Sequence, residues 1–101
     1  MSNKSPKRVY QDAHARWEAA SSAFLGWAIS NGYGHVRSSD LEATIKQPEG
    51  LKLLAADRAA RAALAAAENA AVDAGYAWRG TFGMIQWYSP SDVRRFKRNR
   101  R

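Results

Sequence analysis

The chain has no cysteine. That excludes a disulfide, a thiolate metal site and a cysteine nucleophile. Histidine is scarce: His14 and His35 are the two. His14 and Glu18 lie four apart on one helix face, and two ligands are too few for a structural metal site. They read as a surface i,i+4 pair. Ser38, Ser39 and Asp40 carry atoms that hydrolysis uses, but no nucleophile elbow surrounds them, and they read as capping residues. There is no phosphate-binding loop and no dinucleotide fingerprint. With no acid–base constellation, the expectation is a non-enzymatic protein without metal or cofactor. No apolar run approaches the roughly 20 residues that span a bilayer. Lys4, Lys7 and Arg8 are followed by VYQDAHARWE, which is not the apolar core of a signal peptide. A cytoplasmic protein with no membrane partner is expected.

What the chain does have is charge at its ends. The formal charge is +7 over 101 residues. Residues 1–8 hold Lys4, Lys7 and Arg8, giving +3, and 94–101 hold Arg94, Arg95, Lys97, Arg98, Arg100 and Arg101, giving +6. The stretch 9–93 carries −2. A near-neutral body with basic ends points to a polyanionic partner, nucleic acid first.

The body is organised around 51–75, LKLLAADRAARAALAAAENAAVDAG. Alanine has the best helix propensity and nothing interrupts the run. Pro48 suits the first turn of this helix, and Gly75 suits a left-handed residue at its end. Leu53, Ala56, Ala60, Ala63, Ala67, Ala70 and Ala74 step by three and four, the spacing of a seam for a partner helix. Asp57, Arg61 and Glu68 are placed on the opposite side, with Asp57 and Arg61 as a surface ion pair. The partner is 7–31, where Ala13, Trp17, Ala20, Phe24 and Trp27 step the same way. Alanine on one helix and aromatic bulk on the other permit close approach in an antiparallel pair. Gly26 reads as a site of close packing within the first helix.

Between the long helices, Asn31-Gly32-Tyr33-Gly34 is a loop, and His35-Val36-Arg37 reads as a short extended piece. Ser39 with Glu42 forms the pattern of a capping box, opening a short helix from Asp40 to about Lys46. Pro48 disfavours helical geometry at Gln47 and stops it. After Gly75 the pattern alternates. Tyr76–Arg79 and Met84–Tyr88 flank Gly80-Thr81-Phe82-Gly83, and a hairpin turning there pairs Arg79 with Met84, Trp78 with Ile85 and Tyr76 with Trp87. Tyr76, Trp78, Ile85 and Trp87 then share one face, which must pack on the helices, and the alanine row Ala55, Ala59, Ala62 and Ala66 offers one place. Ser89, Pro90 and Asp92 start a last short helix, in which Phe96 reads as an anchor to the body. The four tryptophans read as core.

The expected fold is therefore α+β, mainly α: an antiparallel pair of long helices with a short helix between them, then a two-stranded β-hairpin and a basic C-terminal segment. One domain spans 7–93, between a flexible 1–6 and a basic tail, 94–101. The element order, over roughly residues 20–88, also resembles that of the winged-helix family. VRSSDLEATI is similar to the start of its first helix-turn-helix helix, and AGYAWRGTFGMIQWY to its last helix end and wing. The resemblance implies Thr81 and Phe82 at a wing tip.

For function, the first expectation is a small accessory protein that grips nucleic-acid phosphates through Lys7, Arg8, Arg94, Arg95, Lys97, Arg98, Arg100 and Arg101. Tyr88 and Phe96 are available for base stacking if single strands are bound. The alternative is a protein-interaction module, such as a phage-type or mobile-element inhibitor, docking on a larger and possibly nucleic-acid-containing complex.

Overall fold

Each of the three prolines opens a helix in the computed structural model of the chain, at Pro6, Pro48 and Pro90. The structure describes residues 4–81 and 84–99, with the side chains of 78–81, 84–86 and 99 outside that description. Helix α1 runs Pro6–Ser30, a 3-10 turn spans Ser38–Asp40, α2 is Leu41–Thr44 and α3 is Pro48–Asp73. Strands β1, Ala77–Thr81, and β2, Met84–Tyr88, follow, and α4 runs Pro90–Asn99. Proline fits these starts because the first N–H of a helix has no partner in the helix to lose. Residues 4–6, expected to be loose, belong to this start: Ser5 Oγ accepts the Arg8 N–H at 3.2 Å.

The two long helices stop in the same way. Gly32 and Gly75 have φ of +84° and +92°, a conformation glycine takes without the Cβ penalty. In α1 the Tyr33 N–H reaches the Ala28 carbonyl at 2.8 Å and the Gly32 N–H reaches Ile29 at 3.3 Å. In α3 the Tyr76 N–H reaches Ala71 at 3.0 Å and the Gly75 N–H reaches Val72 at 2.9 Å. Both are Schellman caps. In each, the tyrosine after the glycine folds back onto the helix pair, Tyr33 at one end and Tyr76 at the other.

The helices pack antiparallel, as the sequence suggests. Phe24 and Ala28 of α1 meet Leu54 of α3, together with Leu41 and Ile45. At the opposite end Tyr10 meets Ala67, Ala71 and Trp87. Between the two clusters the Arg61 guanidinium lies over the Trp17 ring, 5.6 Å from its centroid.

The seam on α3 is rotated from the expected one. Leu53, Ala60 and Ala67 point inward or half inward, but Ala56, Ala63, Ala70 and Ala74 are exposed. The intervening inward positions are Asp57, Leu64 and Ala71. Asp57 and Glu68 are half-buried rather than on the far side. Asp57 and Arg61 form no ion pair among the described residues; Arg61 is drawn to the indole face instead. Gly26, expected to sit in close packing, faces open space. Gly50 has the tight contact, against Trp27.

The connection between α1 and α3 also differs. His35 and Val36 form turn and bend, and Arg37 alone is extended, at φ −64° and ψ 144°, without joining a strand. No Ser39 capping box exists: neither the 3-10 turn nor α2 has a side-chain cap. Glu42, the residue that would complete the box, instead accepts from Arg58 of α3 at 2.8 Å. The helical segment ends at Thr44, and Ile45 turns extended (ψ 125°), driving its side chain into the core at 2 % exposure.

β1 and β2 pair antiparallel, with Trp78 opposite Trp87, Arg79 opposite Gln86 and Thr81 opposite Met84. The register is two residues from the expected one. Gly80 and Thr81 lie in β1 rather than in the turn, and Phe82 and Gly83 lie outside the described residues. A slip of two, unlike a slip of one, keeps the alternation of the strand intact. The strand pair does not cover Ala55, Ala59, Ala62 and Ala66, which are exposed. Trp87 packs with Tyr10, Ala67 and Ala71. The side chains of Trp78 and Ile85, the other residues expected on that face, lie outside the described residues.

Candidate polyanion-binding interface

Two consecutive residues of β2 connect the two basic segments of the chain. Trp87 turns to the helix pair, where its ring lies 4.8 Å from that of Tyr10. Tyr88 meets Phe96 of α4 edge to face, with centroids 5.2 Å apart at 87°. Adjacent strand residues point to opposite faces, so one strand holds the N-terminal turns of α1 on one side and α4 on the other. Phe96 thus serves as the expected anchor while staying 51 % exposed.

The Tyr10–Trp87 contact is buried on both sides. Burial pushes the Tyr10 phenol up from its ordinary value, and Glu68 adds to the shift. The neighbouring Trp87 indole opposes it. The Trp87 N–H is near enough to favour a phenolate, yet has no hydrogen-bonding partner of good geometry among the described residues. His14 extends the cluster, with ring centroids 5.9 Å from Tyr10 and 5.7 Å from Trp17, and it reaches Glu18 at 3.2 Å.

At the start of α1, Asp12 accepts Lys4 at 2.7 Å and lies 3.4 Å from Arg8. The hydrogen bond from Lys4 holds the Asp12 carboxyl below its ordinary value, with charge from Lys4, Arg8 and Arg16 adding to it. Two of the basic residues here are therefore partly neutralised, whereas Lys7 is exposed and has no ion pair among the described residues.

The C-terminal basic segment is helical through Asn99. Its start is a reciprocal cap. Ser89 Oγ accepts the Asp92 N–H at 3.3 Å, Asp92 Oδ2 accepts the Ser89 N–H at 3.3 Å, and the Ser89 hydroxyl lies 2.9 Å from the same carboxylate. Asp92, the acidic residue of this helix, is thus occupied by the cap. Arg94, Arg95, Lys97 and Arg98 are exposed, and none has an ion pair among the described residues. Arg100 and Arg101 lie outside the described residues.

A second surface feature went unread in the sequence. A groove of about 690 Å³ runs between the helices, floored by Ala59, Ala63, Ala66 and Ala70 and edged by Val9, Asp12 and Arg16. It lies where the expected alanine seam would have been, and it exists because the true seam is turned toward Leu64 and Ala71. No family of proteins, curated protein or solved structure matches the chain.

Proposed function

We propose that the protein is a non-enzymatic nucleic-acid-binding protein whose contacts are made to phosphates by Lys7, Arg8, Arg94, Arg95, Lys97 and Arg98, with Arg100 and Arg101 extending the same basic run. One observation carries the reading: four cations of α4 are held on a capped helix, exposed and without acidic partners among the described residues. Holding like charges together is unfavourable, and an anionic ligand relieves that repulsion. The stretch 9–93 is slightly acidic, so the field is concentrated at the two basic segments, 1–8 and 94–101.

The test is fluorescence anisotropy with labelled DNA and RNA across a salt series. If the six basic residues of 94–101 all meet duplex phosphates, the log–log slope lies near about −5. Absence of salt-dependent binding to any nucleic acid, with one stoichiometric protein recovered by pull-down, would replace this reading with that of a protein-interaction module.

A further inference from the structure

Phosphate binding alone requires no particular shape, but α4 has one. At about 100° per residue, Arg94 and Arg98 each fall roughly 160° around the helix from Phe96, on either side of the line opposite it. Arg95 and Lys97 fall about 100° from Phe96 on the two flanks. Phe96 is the residue that holds the helix to Tyr88. The outward crest of α4 is therefore an i,i+4 arginine pair, and a cation stands on each side of it. All four are exposed.

We propose that α4 enters the major groove of duplex DNA; the proposal rests on the phosphate-binding reading above. A helix with its side chains is roughly 10–12 Å across, and the major groove of B-form DNA is about 12 Å wide. In that groove the crest pair Arg94 and Arg98, counted among the phosphate contacts above, faces base edges instead, where arginine donates two hydrogen bonds to guanine O6 and N7. Arg95 and Lys97 face the phosphates of the two groove walls. A single strand offers no second wall, and the deep, narrow major groove of duplex RNA does not admit a helix. The long helix α3 does not compete for this role. It lies along α1, with Arg58 bound to Glu42 and Arg61 placed over Trp17. Phe96 faces the body rather than the crest, so base stacking is not the main contact.

The experiment uses the full chain with a G·C-rich 20-base-pair DNA duplex, the matching RNA duplex and one DNA strand, compared by anisotropy at one salt concentration. Methylation of guanine N7, which blocks the major-groove edge, is scored for interference. The DNA duplex is expected to bind tightest, and N7 methylation to weaken it. The charge-conserving double variant Arg94→Lys/Arg98→Lys is expected to lose about tenfold or more in affinity for the G·C-rich duplex, since each bidentate pair carries that order of discrimination. Its salt slope should not change, because no charge is lost. Arg95→Gln/Lys97→Gln should weaken all duplexes alike and flatten the slope by roughly two. Circular dichroism on each variant confirms that α4 is retained. Equal affinity for the single strand and the duplex, or no effect of N7 methylation, overturns the groove assignment and leaves phosphate binding standing. No salt-dependent binding to any of the three overturns both.

Discussion

The indole of Trp27 fills the space that a side chain at Gly50 would need: a Cβ built there would collide with the six-membered ring. The ring has little room to retreat, because its other side is stacked on Tyr33, 5.5 Å away at 11°. Tyr33 is in turn held by Gln47, which accepts its hydroxyl at 2.7 Å. Gly50→Ala should therefore lower stability by about 1–3 kcal/mol, the usual cost of overpacking, even though alanine gains roughly 1 kcal/mol of helix propensity. Gly26→Ala, the same exchange inside α1 where a Cβ meets nothing within 4 Å, should raise stability by up to about 1 kcal/mol. Thermal or urea melts of the two variants check the opposite signs. A loss at Gly26 or a gain at Gly50 would show that the packing is otherwise.

The rotated seam gives a second pair of variants. Ala71 is fully buried at 0 % exposure, and Ala71→Leu should cost about 1–3 kcal/mol. Ala63 lines the open groove, and Ala63→Leu should change stability by no more than about 0.5 kcal/mol. The seam read from alanine spacing alone would reverse that order, so the two melting midpoints decide between them.

That misreading has a physical source. On α3 alanine occupies nearly every face, so the spacing of small residues fixes a period and leaves its phase open. A seam stepped from Leu53 through Ala56 and Ala60 leaves Asp57 on the far side, whereas Asp57 is half-buried. The informative residues are the large ones, Leu54 and Leu64, ten positions apart and both turned inward. On α1 the aromatic residues are few, so Trp17, Phe24 and Trp27 mark the right face. One further step back from Ala13 reaches Tyr10, which the same spacing could have found. Helix stops were legible because Gly32-Tyr33 and Gly75-Tyr76 carry the cap in two residues. The strand register was not, because it depends on which of residues 80–83 join the ladder. Of the candidate interface, the charges were legible and their presentation was not. The opposition of Arg94 and Arg98 to Phe96 has meaning only once Tyr88 is known to hold Phe96.

Tyr10 predicts an alkaline instability. Its pKa is raised in the folded state above the ordinary 10.0, so the unfolded chain loses this proton first as pH rises. The stabilisation is complete below about pH 10, the ordinary tyrosine value, and is lost as pH climbs through the folded pKa. Tyr10→Phe should remove that part of the slope of stability against pH above 10. Phenolate absorbance should show one fewer late-titrating tyrosine in the variant. An unchanged slope would mean that Tyr10 is ionised as readily in the fold as in the unfolded chain.

The arrangement around β2 sets the last prediction. Tyr10 and Phe96 are held by neighbouring residues, Trp87 and Tyr88, so the two basic segments are attached to one strand. The expectation is that both act on the same ligand. Removing 94–101 should leave the fold in place, because the two core clusters lie before it. The loss should be near the 0.5–1.5 kcal/mol of an aromatic pair, about what the Tyr88–Phe96 contact supplies. Lys7→Glu should weaken nucleic-acid binding in the full chain and weaken it less in the truncated one. Lys7 is the informative position because it has no ion pair among the described residues. Arg8→Glu would also set a carboxylate against Asp12, which Arg8 approaches at 3.4 Å, and so would mix folding with binding. The four binding constants close a double-mutant cycle. A coupling larger than about 0.5 kcal/mol supports one shared surface, and additivity within that margin would show that the two ends bind independently.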